Sequence, residues 1–131
     1  METGTTPLNV LIVDDDIPLS IFFKDTLQHL GHRVFIAVNE HGALGIIKQE
    51  PIDIVICDYL LPGVDGAAIL NFIKEFNQKI FCVLISGHHQ HLTAHRHTFE
   101  HVDMVLQKPV LKDTLTGIID TYMNSVKNPN G

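Results

Sequence analysis

The sequence predicts an α/β domain: a doubly wound, five-stranded parallel sheet with helices on both faces. Three observations predict it. Five short apolar runs alternate along the chain with amphipathic stretches of helical spacing. The runs are almost wholly apolar, the mark of strands covered on both faces of a sheet. Polar residues fall directly behind them, at the carboxyl ends of the strands, where such sheets collect their ligands. With 131 residues, 45% of them apolar, the chain has the size and composition of one compact domain with a buried core. A single domain over 1–131 is expected, with its core at about residues 8–126 and short flexible termini.

Each element has a local reason. Leu8 to Val13 reads as the first strand, stopped by Asp14, Asp15 and Asp16. Pro18 suits the first turn of a helix, where its missing N–H is no loss. Leu19, Phe22, Phe23, Thr26, Leu27 and Leu30 give that helix an apolar face, and Gly31 closes it as a left-handed cap. Arg33 to Val38 reads as the second strand and His41 to Gln49 as the second helix. Pro51 breaks the chain before the third strand, Ile52 to Cys57. A turn-rich segment from Asp58 to Gly66 contains Pro62 and Gly63. Ala67 to Phe76 is the third helix, Ile80 to Ile85 the fourth strand, His91 to His101 a fourth helix and Met104 to Leu106 the fifth strand. Lys112 to Val126 closes the fold as a helix, and the tail from Asn128 reads as frayed.

Composition removes several classes of function. Nine Lys and Arg stand against 15 Asp and Glu, a net charge of −6, which argues against a nucleic-acid or anionic-membrane surface. The longest apolar run, Ile80 to Ile85, is far shorter than the ~20 residues of a membrane helix. Met1 to Gly4 lacks the basic and apolar stretches of a secretory signal. Cys57 and Cys82 lie inside apolar runs without paired spacing, so neither a disulfide framework nor a zinc site is expected. A soluble, cytoplasmic domain that binds neither nucleic acid nor membrane is the expectation.

The polar residues behind the strands form a set. Asp14, Asp15 and Asp16 follow the first strand, Asp58 the third, Ser86 the fourth, and Lys108 with Pro109 the fifth. Carboxylates gathered at one sheet edge repel one another and raise each other's pKa unless charge is offset. An oxygen-only donor set without His or Cys favours a hard divalent cation such as Mg²⁺. Lys108 adds a point charge with three donors, and Ser86 a hydroxyl. Carboxylate nucleophile, Mg²⁺, ammonium and hydroxyl together describe phosphoryl transfer to an aspartate.

The segments VDDD (Val13 to Asp16), DYLLPGVDG (Asp58 to Gly66), ISG (Ile85 to Gly87) and KP (Lys108-Pro109) resemble the receiver domain of two-component response regulators. The resemblance spans roughly residues 8 to 126, with four motifs in the right order, each behind an expected strand. It implies the CheY-like, flavodoxin-like strand order 2-1-3-4-5. It also implies roles. Asp58 matches the phosphoacceptor, served by a phosphohistidine on a sensor histidine kinase or histidine phosphotransfer protein. Asp15 matches the direct Mg²⁺ ligand, Asp14 its acidic partner acting through metal-bound water, and the Leu60 backbone carbonyl the group completing the metal site. Ser86 matches the hydroxyl that turns toward the phosphoryl group, Lys108 the salt-bridging lysine, and Pro109 the proline of a cis peptide. The resemblance thus implies a signalling phosphoacceptor that catalyses only its own phosphorylation and dephosphorylation. The downstream protein or attached output domain is not named by it.

Plainer roles compete at some positions. One aspartate of the triplet, Asp16, is placed to cap the following helix. Cys57 should point into the core, on the strand face opposite Asp58. Three residues before Lys108, where receivers commonly carry an aromatic switch, this chain has Val105, a stiff β-branched side chain. Six of nine histidines fall between His88 and His101: His88, His89, His91, His95, His97 and His101. They read as a titrating, mostly solvated surface, with metal binding or pH sensing as alternatives. A phosphatase of the haloacid dehalogenase type is the alternative function, disfavoured because Leu60 stands where its second aspartate is needed. A flavin site or nucleotide P-loop lacks its phosphate loop. A stand-alone regulator and a receiver cut from a longer protein fit the sequence equally.

Overall fold

The computed structural model describes residues 6–87 and 101–127. In chain order these form β1 (Asn9–Val13), α1 (Ile17–His29), β2 (Arg33–Ala37), α2 (Glu40–Gln49), β3 (Ile54–Asp58), β4 (Leu60–Leu61), β5 (Val64–Asp65), α3 (Gly66–Phe76), β6 (Phe81–Ser86), β7 (Met104–Gln107) and α4 (Lys112–Lys127). The fourth helix expected over His91 to His101, with its histidines, lies outside the described residues apart from His101 itself, an exposed turn residue.

Five strands make one sheet in the order β2-β1-β3-β6-β7, every neighbouring pair parallel. In order of the five main strands this is 2-1-3-4-5, as expected. The strands alternate their side chains between two apolar layers. Leu11, Val13, Val55, Cys57, Cys82 and Leu84 pack with Ala43 and Ile47 of α2 and with Ile69, Leu70 and Ile73 of α3. Val10, Ile12, Ile54, Ile56, Val83 and Ile85 pack with Phe23 and Leu27 of α1 and with Leu115, Ile118 and Ile119 of α4. Helices on both faces are why these strands carry no polar alternation. Among the described residues, no helix is long and apolar enough to cross a membrane.

The helix starts are capped by short side chains. Asp16 accepts from Leu19 N–H at 3.1 Å, the role expected for it. Asn39 and Asp65 do the same for α2 and α3, accepting from Gly42 and Ala68 at 2.8 Å, so both helices begin one residue earlier than the apolar pattern indicated. Gly31, at φ +99°, ends α1 as a left-handed residue beyond Leu30.

Two expectations are corrected. The apolar face of α1 is narrower than its sequence suggests: Phe23 and Leu27 are buried with Ser20, while Phe22 and Leu30 are exposed. Neighbouring helical residues lie about 100° apart, so a stripe through 20, 23 and 27 leaves Phe22 off the sheet, and Leu30 is the cap residue beyond the helix end at His29. The segment behind β3 is also more ordered than a run of turns. Leu60 pairs with Asp65 and Leu61 with Val64 as a tight antiparallel hairpin around Gly63, whose φ is +80°.

Candidate functional site

The strand ends place the polar set. Asp14 directly follows β1, and its N–H donates to the carbonyl of Ala37 at the end of β2 (3.1 Å). Asp58 is the last residue of β3, paired in register with Ile85, so it stands beside Ser86, the last residue of β6. Lys108 follows β7, and its N–H donates to the Ser86 carbonyl at 2.8 Å. Asp58 and Ser86 are therefore inside strands, not just beyond them. Sequence boundaries moved by one residue because each polar residue continues the ladder of its strand.

The carboxylates of Asp14, Asp15 and Asp58 converge, with one oxygen from each lying within 4.8 Å of the others. Lys108 Nζ approaches the same place from above β7, 3.5 Å from Asp58 Oδ1 and 3.9 Å from Asp14 Oδ2. The Leu60 backbone N–H lies near the Asp58 carboxylate and favours its charged form. Asp14, Asp58 and Ser86 are buried, Lys108 is partly buried and Asp15 is exposed. The Lys108–Pro109 peptide is cis.

Burial sets the electrostatics. It pushes Asp14 up to about 6 against the Asp16 N–H that donates to its Oδ1 at 2.9 Å, and the Asp58 charge adds to the rise. Burial also raises Asp58, with the Lys108 charge pulling the other way. Three carboxylates and one ammonium leave the site short of positive charge. Its donors are all oxygen, close-set and partly desolvated, which fits a small, hard divalent cation.

The residues beside the site are accounted for. Cys57 lies in the opposite layer, as expected, and burial holds its thiol well above its ordinary value, which keeps it protonated. Leu60 leaves an apolar, half-exposed side chain two residues after Asp58. Asp65 and Gly66 had only turn roles in the sequence reading. In the structure they tie α3 to the site. Gly66 N–H donates to the Tyr59 carbonyl at 2.7 Å, and a Cβ on Gly66 would overlap the Asp58 carbonyl oxygen. The Asp-Gly pair at a turn's end is the signal that could have found them.

Residues 10–120 match the response regulator receiver domain family. The chain belongs to that family. Sporulation initiation phosphotransferase F of Bacillus subtilis (strain 168) is 32% identical over 79 residues, 60% of this chain and 64% of that protein. The transcriptional regulatory protein ZraR of Salmonella typhimurium is 30% identical over 80 residues, 61% of this chain but 18% of ZraR. The chain thus spans less than a fifth of ZraR in its matched part. A receiver domain protein from Methanospirillum hungatei superposes with a TM-score of 0.85 at 23% identity, covering 94% of this chain and 99% of the other. As a receiver domain, the chain is a module of two-component signalling. The haloacid dehalogenase alternative has no support, and the Leu60 side chain supplies no second carboxylate.

Proposed function

We propose that Asp58 accepts a phosphoryl group from a phosphohistidine on a histidine kinase or histidine phosphotransfer protein, and that the modified site then changes which partner the domain binds. The observation that carries this reading is the convergence of Asp14, Asp15, Asp58 and Lys108 at one sheet edge. An Asp58 carboxylate oxygen attacks phosphorus; the P–O bond forms as the P–N bond breaks, and the bonding pair leaves on the imidazole nitrogen. Lys108 is placed to meet the charge on the transferred group, and Ser86 offers it a hydroxyl. The nearby Leu60 N–H favours the ionised form that the Asp58 nucleophile needs. Asp14, Asp15 and Asp58, with the Leu60 carbonyl, would hold Mg²⁺. That ion, when bound, supplies the charge neutralisation that lets an anionic donor approach a set of carboxylates.

The domain's chemistry in this reading is limited to its own phosphorylation and dephosphorylation. Its surroundings are cytoplasmic, where a kinase meets its regulator, and its output lies in a downstream partner or an attached domain. Incubation with Mg²⁺ and a small phosphodonor should add one acid-stable, base-labile phosphoryl group, located on Asp58 by mass spectrometry. Asp58→Ala should take up none. Incorporation at wild-type yield on another residue of Asp58→Ala would overturn the assignment.

A further inference from the structure

The chain leaves Asp58, forms the β4–β5 hairpin, and returns to Asp58 at the first residue of α3. Gly66 N–H bonds the Tyr59 carbonyl at 2.7 Å, and Tyr59 N–H bonds the Ile85 carbonyl of β6 at 2.8 Å. The Cα of Gly66 thereby sits against the back of the Asp58 peptide. A Cβ there would overlap the Asp58 carbonyl oxygen and come within 2.9 Å of its carbon and 3.0 Å of Cys57 Sγ. Neither partner is free to retreat. The Asp58–Tyr59 peptide is held to β6 through the Tyr59 N–H. The α3 helix is held by Ile69, Leu70 and Ile73, none of them solvent-accessible, and its first turn by the Asp65 cap on Ala68 N–H.

We propose that Gly66, seated by the Asp65 cap, is a positioning residue for the Asp58 acceptor. Its missing side chain lets the first turn of α3 seat against the Asp58 carbonyl, and this contact fixes the peptide from which the carboxylate reaches toward Lys108. The inference rests on Asp58 being the acceptor, and it assigns to α3 a part in the chemistry that no group of α3 performs directly. A side chain at 66 has to be absorbed by rotating the Asp58 peptide, and the carboxylate turns with it. Misplacement of a reacting group by about 1 Å lowers rates on the order of a hundredfold.

The test compares matched variants of the same loop for phosphorylation rate at saturating Mg²⁺ and phosphodonor, for stability in urea, and for backbone amide shifts. Gly63→Ala strains a left-handed turn residue but adds a Cβ with no neighbour within 4 Å. Gly66→Ala should lose at least tenfold in rate, beyond any loss in Gly63→Ala at equal stability, and should shift the Asp58 and Tyr59 amides. The caps give a second series that keeps the fold. Asp65→Ala should slow phosphorylation several-fold, Asp65→Asn should restore it by keeping the cap acceptor, and Asn39→Ala, which removes the α2 cap, should leave the rate unchanged. Equal rates in Gly66→Ala and Gly63→Ala, or in Asp65→Ala and Asn39→Ala, would overturn the proposal while leaving Asp58 as acceptor. Wild type that takes up no phosphoryl group on Asp58 would overturn both readings. If Gly66→Ala does not fold, the cap series decides alone.

Discussion

Lys108 Nζ stands 3.5 Å from Asp58 Oδ1, too long for a tight ion pair and close enough to feel its charge. The 3.9 Å separation from Asp14 Oδ2 has the same character. One ammonium is thus shared between two buried carboxylates and closes on neither. That loose geometry leaves room for a second cation among the carboxylates and leaves Lys108 donors free for a phosphoryl oxygen.

Lys108→Met should therefore separate two properties. Removing the shared ammonium deepens the negative potential at the three carboxylates, so Mg²⁺ should bind more tightly, by about several-fold for a partly screened charge. Under the proposed function, a phosphoryl group on Asp58 should meanwhile lose its Lys108 donor. Titration calorimetry reads the first effect, and amide shifts with a beryllofluoride mimic read the second. Weaker Mg²⁺ binding in Lys108→Met would mean that the lysine organises the carboxylates rather than competing for them.

Asp14 predicts a pH dependence. Its folded pKa, about 6, stands above the ordinary 3.8. Between those values the folded state binds more protons than the unfolded state, so this group's effect is a stability that falls as pH rises toward 6. Above about pH 6 the ionised, buried carboxylate costs about 3 kcal/mol. Asp14→Asn should stabilise the metal-free protein by ~1–3 kcal/mol at pH 7.5, and the gain should vanish near pH 4. Urea melts at the two pH values, with and without Mg²⁺, give the answer. An Asp14→Asn protein no more stable than wild type at pH 7.5 would contradict it.

The burial of Asp14 marks a boundary of what is legible in the sequence. Strand order, the two-faced core and the gathering of Asp14, Asp15, Asp58, Ser86 and Lys108 at one edge were all legible. Each follows from apolar runs and the residues directly behind them. Which of three consecutive aspartates is buried was not legible, because it depends on how β1 ends beside β2: Asp14 N–H bonds the Ala37 carbonyl, and Asp15 stays exposed at the rim of the site. The hairpin and the contact of Gly66 with the Asp58 carbonyl were equally hidden. They arise from chain return in three dimensions, and a two-residue strand has no periodicity to read.

His32 was hidden by number, one histidine among nine. It is buried, and its Nδ1 accepts from the Leu8 N–H at 3.1 Å. That bond requires a neutral ring with its proton on Nε2. Burial lowers its pKa below the ordinary 6.5, with Asp53 opposing. The unfolded chain therefore takes the proton first as pH falls through 6.5, and stability is lost on acidification, the opposite sign to Asp14. His32→Asn can keep an acceptor for Leu8 without titrating. Relative to wild type it should gain stability at pH 5 compared with pH 7.5, a shift read from paired urea melts. An equal difference at both pH values would show that His32 does not titrate in this range.

Ser20 conflicts with its surroundings. It lies on the buried stripe of α1 with Phe23 and Leu27, fully inaccessible, and its Oγ has no hydrogen-bond partner among the described residues. A hydroxyl taken out of water without compensation costs roughly 1–3 kcal/mol. Alanine at the same site removes the hydroxyl, leaves almost no cavity and has a higher helix propensity by a few tenths of a kcal/mol. Ser20→Ala should therefore stabilise the domain by about 1 kcal/mol, and should do so equally at pH 5 and 7.5, since no titrating group is involved. Ser20→Val offers the complementary comparison: it fills more of the space but carries a branched Cβ against the preceding turn, so it should gain less than alanine. Thermal and urea melts of the three proteins provide the measurement. A destabilised Ser20→Ala would show that the hydroxyl is satisfied in solution, by a water molecule held between α1 and the sheet.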